Sequence, residues 1–163
     1  VTATVNPSIT FTVVNTAFAL GDLSSSAIAT SSSNNITVGT NANGGYSITV
    51  QDVGGTGAGN PGLYDSATTS RIASATATLV AGTEGYGGQC AVTGGSGSCD
   101  YALTSAGESV TAFADNAWSA FAHYNSKPSG TDTYQIRVKA AISTSTTAGY
   151  YQDTITLVAT GNF

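Results

Sequence analysis

Few residues in this 163-residue chain can do acid–base or nucleophilic chemistry. There is one histidine, His123, two cysteines, Cys90 and Cys99, four Lys or Arg and nine Asp or Glu. A serine nucleophile needs a base within hydrogen-bond reach and a turn that exposes its hydroxyl. His123 sits instead among Trp118, Phe121 and Tyr124, no G-x-S-x-G elbow accompanies it, and the segment reads as a semi-buried aromatic patch. Paired carboxylates for glycoside cleavage would have to come from Glu84, Asp100, Glu108 and Asp115, which no local spacing brings together. No enzyme is read from these residues, and no cofactor is implied.

Cys90 and Cys99 flank AVTGGSGS, a small-residue tip that reads as a hairpin loop closed by a disulfide, with two free thiols as the alternative. Zinc would need two further ligands where only one histidine exists. A bridge implies an oxidising compartment. Asp52, Asn60 and Asp65 lie in or beside the Gly-rich run DVGGTGAGNPGLYD, whose oxygens would suit calcium. The run carries no EF-hand or nonapeptide pattern, and it reads equally as a solvated loop. Asn35-Ile36-Thr37 is a glycosylation sequon at a strand start. Lys139 alternates onto the wet side of its strand and Lys127 falls in a turn, so no buried lysine is expected for an amide staple to Asn.

The elements that must position these residues are strands. From Val1 to Val13 every odd position except Pro7 is apolar, and the even positions are Thr, Asn or Ser. This two-residue period predicts a strand over 1–14 with one dry face, kinked or split at Pro7. NITVGT and GYSITVQ, separated by Asn-Ala-Asn-Gly, form a hairpin that turns Ile36 and Val38 toward the same core as Tyr46, Ile48 and Val50. Leu63 and Tyr64 anchor the Gly-rich excursion. Further strands are expected over 71–80, 110–114, 133–143 and 150–160, and NAWSAFAHY reads as a short helical face or a bulged strand. The expected fold is all-β: an antiparallel β-sandwich, jelly-roll or immunoglobulin-like, with an N-terminal strand extension (1–14) and one sandwich domain (15–163).

Composition narrows the partners. Charged residues make up 8% of the chain, against roughly 25% in an average soluble protein. Solubility therefore rests on Ser, Thr, Asn and Gly. A net charge of −5 with four basic residues offers no patch to neutralise phosphates or to hold an anionic membrane surface. No apolar run approaches the ~20 residues of a membrane-spanning helix. A start at Val1 and the absence of Met read as a secreted, mature product whose signal peptide has been removed.

The closing run TYQIRVKAAISTSTTAGYYQDTITLVAT resembles the last hairpin of secreted bacterial pilin-like and spore-coat-like sandwiches, and TVGTNANGGYSITVQ resembles their middle hairpin. TasA-like filament formers share the same likeness. The resemblance implies an extracellular filament whose identical subunits join head to tail by donor-strand exchange. The N-terminal strand of one subunit, through Val1, Ala3, Val5, Ile9, Phe11 and Val13, would fill a groove in the next. The alternative is a monomeric or tandem cell-surface module that binds a glycan, its first strand paired within its own sandwich.

Overall fold

A computed structural model describes residues 1–54, 62–101, 107–113 and 117–163. Its strands are β1 (Ile9–Val13), β2 (Ala29–Thr30), β3 (Asn34–Thr40), β4 (Tyr46–Asp52), β5 (Leu63–Asp65), β6 (Ser70–Ile72) and β7 (Ala77–Thr78). They continue with β8 (Gly85–Gly94), β9 (Ser98–Cys99), β10 (Ser109–Val110), β11 (Ser119–Tyr124), β12 (Asp132–Ala141) and β13 (Ile155–Gly161). No helix occurs among the described residues.

One sheet runs β1–β3–β12–β8, with β2 alongside the far end of β12, and the other runs β13–β4–β11–β9. Every strand pairing is antiparallel. Period-two alternation turns Ile36 and Val38 of β3 and Tyr134, Ile136 and Val138 of β12 inward. They meet Tyr46, Ile48 and Val50 of β4 and Phe121 of β11 in one core. This is the antiparallel sandwich that the alternation predicts. The β3–β4 hairpin turns at Gly45, which has φ +78° and whose Cβ would collide with the Tyr124 carbonyl, so only glycine fits.

Several expected elements are shorter than their patterns. The strand expected over 1–14 is paired only from Ile9 to Val13, along β3 from Thr40 to Ile36, so β1 is part of the sandwich. Beyond Thr40 the Asn41 side chain extends the ladder: it accepts the Ser8 N–H at 2.8 Å and donates to the Asn6 carbonyl at 2.8 Å, while the Asn41 backbone N–H reaches the Ser8 carbonyl at 3.3 Å. Pro7, which has no N–H, marks the break. The strand expected over 150–160 begins at Ile155, because residues 150–154 cross to β5, where Tyr64 and Gln152 exchange backbone bonds of 2.8 and 2.9 Å. The expected strand 71–80 is cut into β6 and β7. NAWSAFAHY resolves, where it is described, as the strand β11 with a bulge between Ala120 and Ala122.

Lys139 corrects the reading of β12. It is 7% exposed, and its Nζ donates to Glu108 Oε2 at 2.8 Å and to the Gly107 carbonyl at 3.2 Å. The outer face of β12 is wet by alternation alone, but residues 107–109 fold over it.

Candidate functional site

The open side of the sandwich lies between β1 and β13. Each is an edge strand with one neighbour, β3 and β4 respectively, among the described strands. An edge strand keeps a row of N–H and C=O groups available for another chain. Ile9, Phe11 and Val13 of β1 and Ile155, Leu157 and Ala159 of β13 are only half-buried, though they pack against the core. A cleft of about 1050 Å³ continues from this side, walled by residues 16–23 and by residues 146–155, with Tyr86 and Val138 of the core at its base. A hollow of about 150 Å³, lined by Val13, Phe18, Ile136 and Leu157 among others, shares Thr16, Phe18 and Ile155 with it. The lining is mixed, with Leu20, Leu23 and Ile142 beside Thr16, Thr147, Thr154, Asp22, Gln152 and Asp153.

Residues 1–5 stand outside the sandwich and pair with no strand. Val1 and Val5 are wholly exposed to solvent, and Ala3 between them is exposed. The six residues expected to act together are therefore divided. Val1, Ala3 and Val5 form an apolar arm, while Ile9, Phe11 and Val13 face their own core.

Arm and cleft lie at opposite ends of the sandwich. The arm leaves next to Thr40 and Asn41, level with Tyr46 and Gly161. The cleft is lined by Ile155, which pairs with Asp52 at the far end of β4, and by Tyr86, which pairs with Ala140 near the end of β12. The seven residues of β4 separate the two ends by roughly 20 Å.

Under the cleft, Asp52 is fully buried and accepts the Gly54 and Gly62 N–H groups at 2.8 and 2.7 Å. Asp153, on the cleft wall, accepts the Tyr86 hydroxyl at 2.8 Å and lies beside Asp52. Burial first, and then the neighbouring Asp52 carboxylate, push the Asp153 carboxyl up to about 8. Burial likewise pushes the Tyr86 phenol well up.

Of the calcium ligands expected, Asp52 and Asp65 fall among the described residues. Asn60 lies outside them. Asp65 accepts the Thr68 hydroxyl at 2.6 Å and the Ala67 N–H at 3.0 Å, which hold its carboxyl below the usual range, with the Thr68 bond the larger cause. Asp52 and Asp65 thus brace backbone turns, and no group of three acidic, His or Cys side chains converges among the described residues.

Cys90 and Cys99 are joined in a disulfide, with Cα atoms 5.9 Å apart, tying β8 to β9. Bridges of this kind persist in oxidising compartments. His123 Nδ1 meets Asp100 Oδ2 at 2.9 Å on the outer part of β11, and Trp118 is half-exposed instead of filling an aromatic patch. Asn35 is exposed on β3, opposite Gln135. No helix among the described residues is long and apolar enough to cross a membrane.

No family model, curated protein or solved structure matches this chain. Its functional reading therefore rests on the geometry above. Sequence reasoning missed the cleft, because its walls are loops of 16–23 and 146–155 that alternate poorly. Asp153 gave one faint signal, an acid set between strand residues of YYQDTITLV.

Proposed function

We propose that the protein is a structural subunit of an extracellular filament, in which residues 1–5 of one molecule lie in the lateral cleft of the next. The observation that carries this reading is polarity: an unpaired arm with alternating apolar residues at one end of the sandwich and a partly apolar cleft beside two edge strands at the other. A strand added at such an edge makes main-chain hydrogen bonds, and its alternate side chains, here Val1, Ala3 and Val5, turn into the groove. Each valine buried contributes about 1.5–3 kcal/mol before the cost of ordering the arm is subtracted. A heterologous contact between opposite ends does not close on itself, and it generates an open fibre. Low surface charge and the disulfide suit an extracellular setting.

A second reading, a monomeric or tandem surface module with a glycan in the cleft, draws on Tyr150, which is 75% exposed at the cleft's edge and offers a ring for stacking. Negative-stain electron microscopy of the intact chain, beside a variant lacking residues 1–5, separates the two. Fibres from the intact chain alone are expected. Monodisperse particles from both proteins would overturn the filament and leave the surface module.

A further inference from the structure

Strand register fixes which backbone groups lie open on the side between β1 and β13. Along β13, the Val53 N–H meets the Thr154 carbonyl at 3.1 Å and the Asn162 N–H meets the Gly45 carbonyl at 2.9 Å, with no register shift between them. Hydrogen-bonded pairs alternate in an antiparallel ladder, so the even residues of β13 bond to β4. Ile155, Leu157, Ala159 and Gly161 therefore turn their N–H and C=O groups to the free edge. On β1, the Asn41 N–H meets the Ser8 carbonyl at 3.3 Å and the Val14 N–H meets the Asn35 carbonyl at 3.0 Å, so there too the even residues bond inward, to β3. The backbone groups of Ile9, Phe11 and Val13 are the open ones on that edge. Neither ITFTV nor ITLVATG carries a proline, a charge or a bulge, the devices that keep a free edge from pairing.

Direction separates the two edges. β1 runs from the arm's end of the sandwich toward the cleft, and β13 runs back, from Ile155 beside the cleft to Gly161 against Thr40. Asn41 holds both Asn6 and Ser8, so the arm leaves in line with β1. An arm that enters the next molecule at its cleft end is then parallel to that molecule's β1 and antiparallel to its β13. Every pairing between the described strands is antiparallel, and parallel pairing is the less stable per residue.

We propose that the arm adds to β13 of the neighbouring molecule, antiparallel, as a fifth strand of its β13–β4–β11–β9 sheet. Residues directly opposite share a face, so the odd residues of the arm stand against the odd residues of β13. Of the registers with this parity, the one that sets Val5 opposite Ile155, Ala3 opposite Leu157 and Val1 opposite Ala159 gives each apolar residue a side chain to meet. The next would set Val1 against Gly161, which has none. Ala3 and Val5 then face the hollow of about 150 Å³ that Ile155 and Leu157 share with Val13, Phe18 and Ile136, and a space of that size takes an aliphatic side chain. Thr2 and Thr4 join Val158 and Thr156 on the wet face, and a slip of one residue would exchange the two sets. The assignment rests on the filament reading and adds to it the partner strand, the direction and the register.

The even pairs of this joint are the non-hydrogen-bonded ones, with Cα atoms about 4.5 Å apart, a spacing that a disulfide bridges. Fibres of a Thr4→Cys, Thr156→Cys double variant should, under mild oxidation, give a ladder of covalent multimers on a non-reducing gel, lost on reduction. A Thr4→Cys, Thr12→Cys variant, the pair that parallel addition to β1 would bring together, should stay monomeric on the same gel. A ladder from the second variant, or from neither while both form fibres, overturns the β13 assignment and leaves the filament standing. Absence of fibres from the unaltered chain overturns both. Should a variant fail to fold or to polymerise, amide hydrogen exchange of unaltered fibres against the dispersed protein decides. Slower exchange at Ile155, Leu157 and Ala159 supports the assignment, and slowing confined to Ile9, Phe11 and Val13, or at none of the six, overturns it.

Discussion

Buried polar groups set what the interior tolerates, residue by residue. Asp132 is 2% exposed and serves two structures at once. Its Oδ2 accepts the Tyr46 hydroxyl at 2.6 Å, and its Oδ1 accepts the Ser96 N–H at 2.7 Å in the disulfide-closed hairpin. Because Tyr46 gives its only hydrogen to Asp132, the 2.5 Å contact with Tyr134 is a bond donated by Tyr134. Asp132→Ala would leave the buried Tyr46 hydroxyl without its carboxylate acceptor, at about 1–3 kcal/mol for that unmatched group. The urea midpoint should fall accordingly while the slope stays the same. Asp153 allows a second prediction, with sign. Its carboxyl titrates higher folded, at about 8, than unfolded, so the folded state binds the extra proton. That contribution is complete below the unfolded value, declines as pH rises, and is gone above about 8. Urea unfolding across pH 4–9 should show the decline, and Asp153→Asn should remove it. Alternation told that Tyr46 and Tyr134 point inward, but not that their hydroxyls meet over Asp132. That contact joins residues 86 positions apart in sequence, Tyr46 and Asp132, through two sheets.

At the scale of elements, β1 shows how a single alternating pattern can serve two fates. Phe11 is half-buried against the core and Val5 is exposed on the arm. Phe11→Ala should lower stability by about 1–3 kcal/mol, less than at a fully buried phenylalanine. Val5→Ala should leave the isolated molecule within about 0.5 kcal/mol of its starting stability. Thermal denaturation at low protein concentration compares the two. The Cys90–Cys99 bridge closes a short loop between β8 and β9, with a sequence separation of 9. Reducing it should cost about 2–3 kcal/mol by loop entropy, with far-UV circular dichroism remaining that of a β protein. The sequence read the long strands well, because β3, β4 and β12 carry strict alternation over seven to ten residues. The short strands were read with the wrong bounds: β6 and β7 merge in the single strand expected over 71–80, and β10 overlaps the one expected over 110–114 only at Val110, since two or three residues hold too little period to fix an end.

For the whole molecule the prediction concerns what drives assembly. The arm VTATV has no charged side chain, and the cleft carries only Asp22 and Asp153, so association should rest on apolar burial and main-chain bonds. Fibre yield should then change little between about 50 and 500 mM NaCl, whereas contacts between surface charges would be screened over that range. A steep loss of fibres with salt, read by sedimentation, would count against arm docking. By itself the sequence determined the all-β class, the inward residues of the long strands and the pairing partner for each cysteine. Those properties follow from side-chain period and from two thiols set across a short small-residue loop, both of which are local. Only the tertiary structure decided that Ile9–Val13 belongs to its own sandwich, that Lys139 is buried under residues 107–109, and that Asp52 meets Asp153 below a cleft. Each of these depends on which distant segment comes to cover which face, and periodicity along one strand carries no information about its cover.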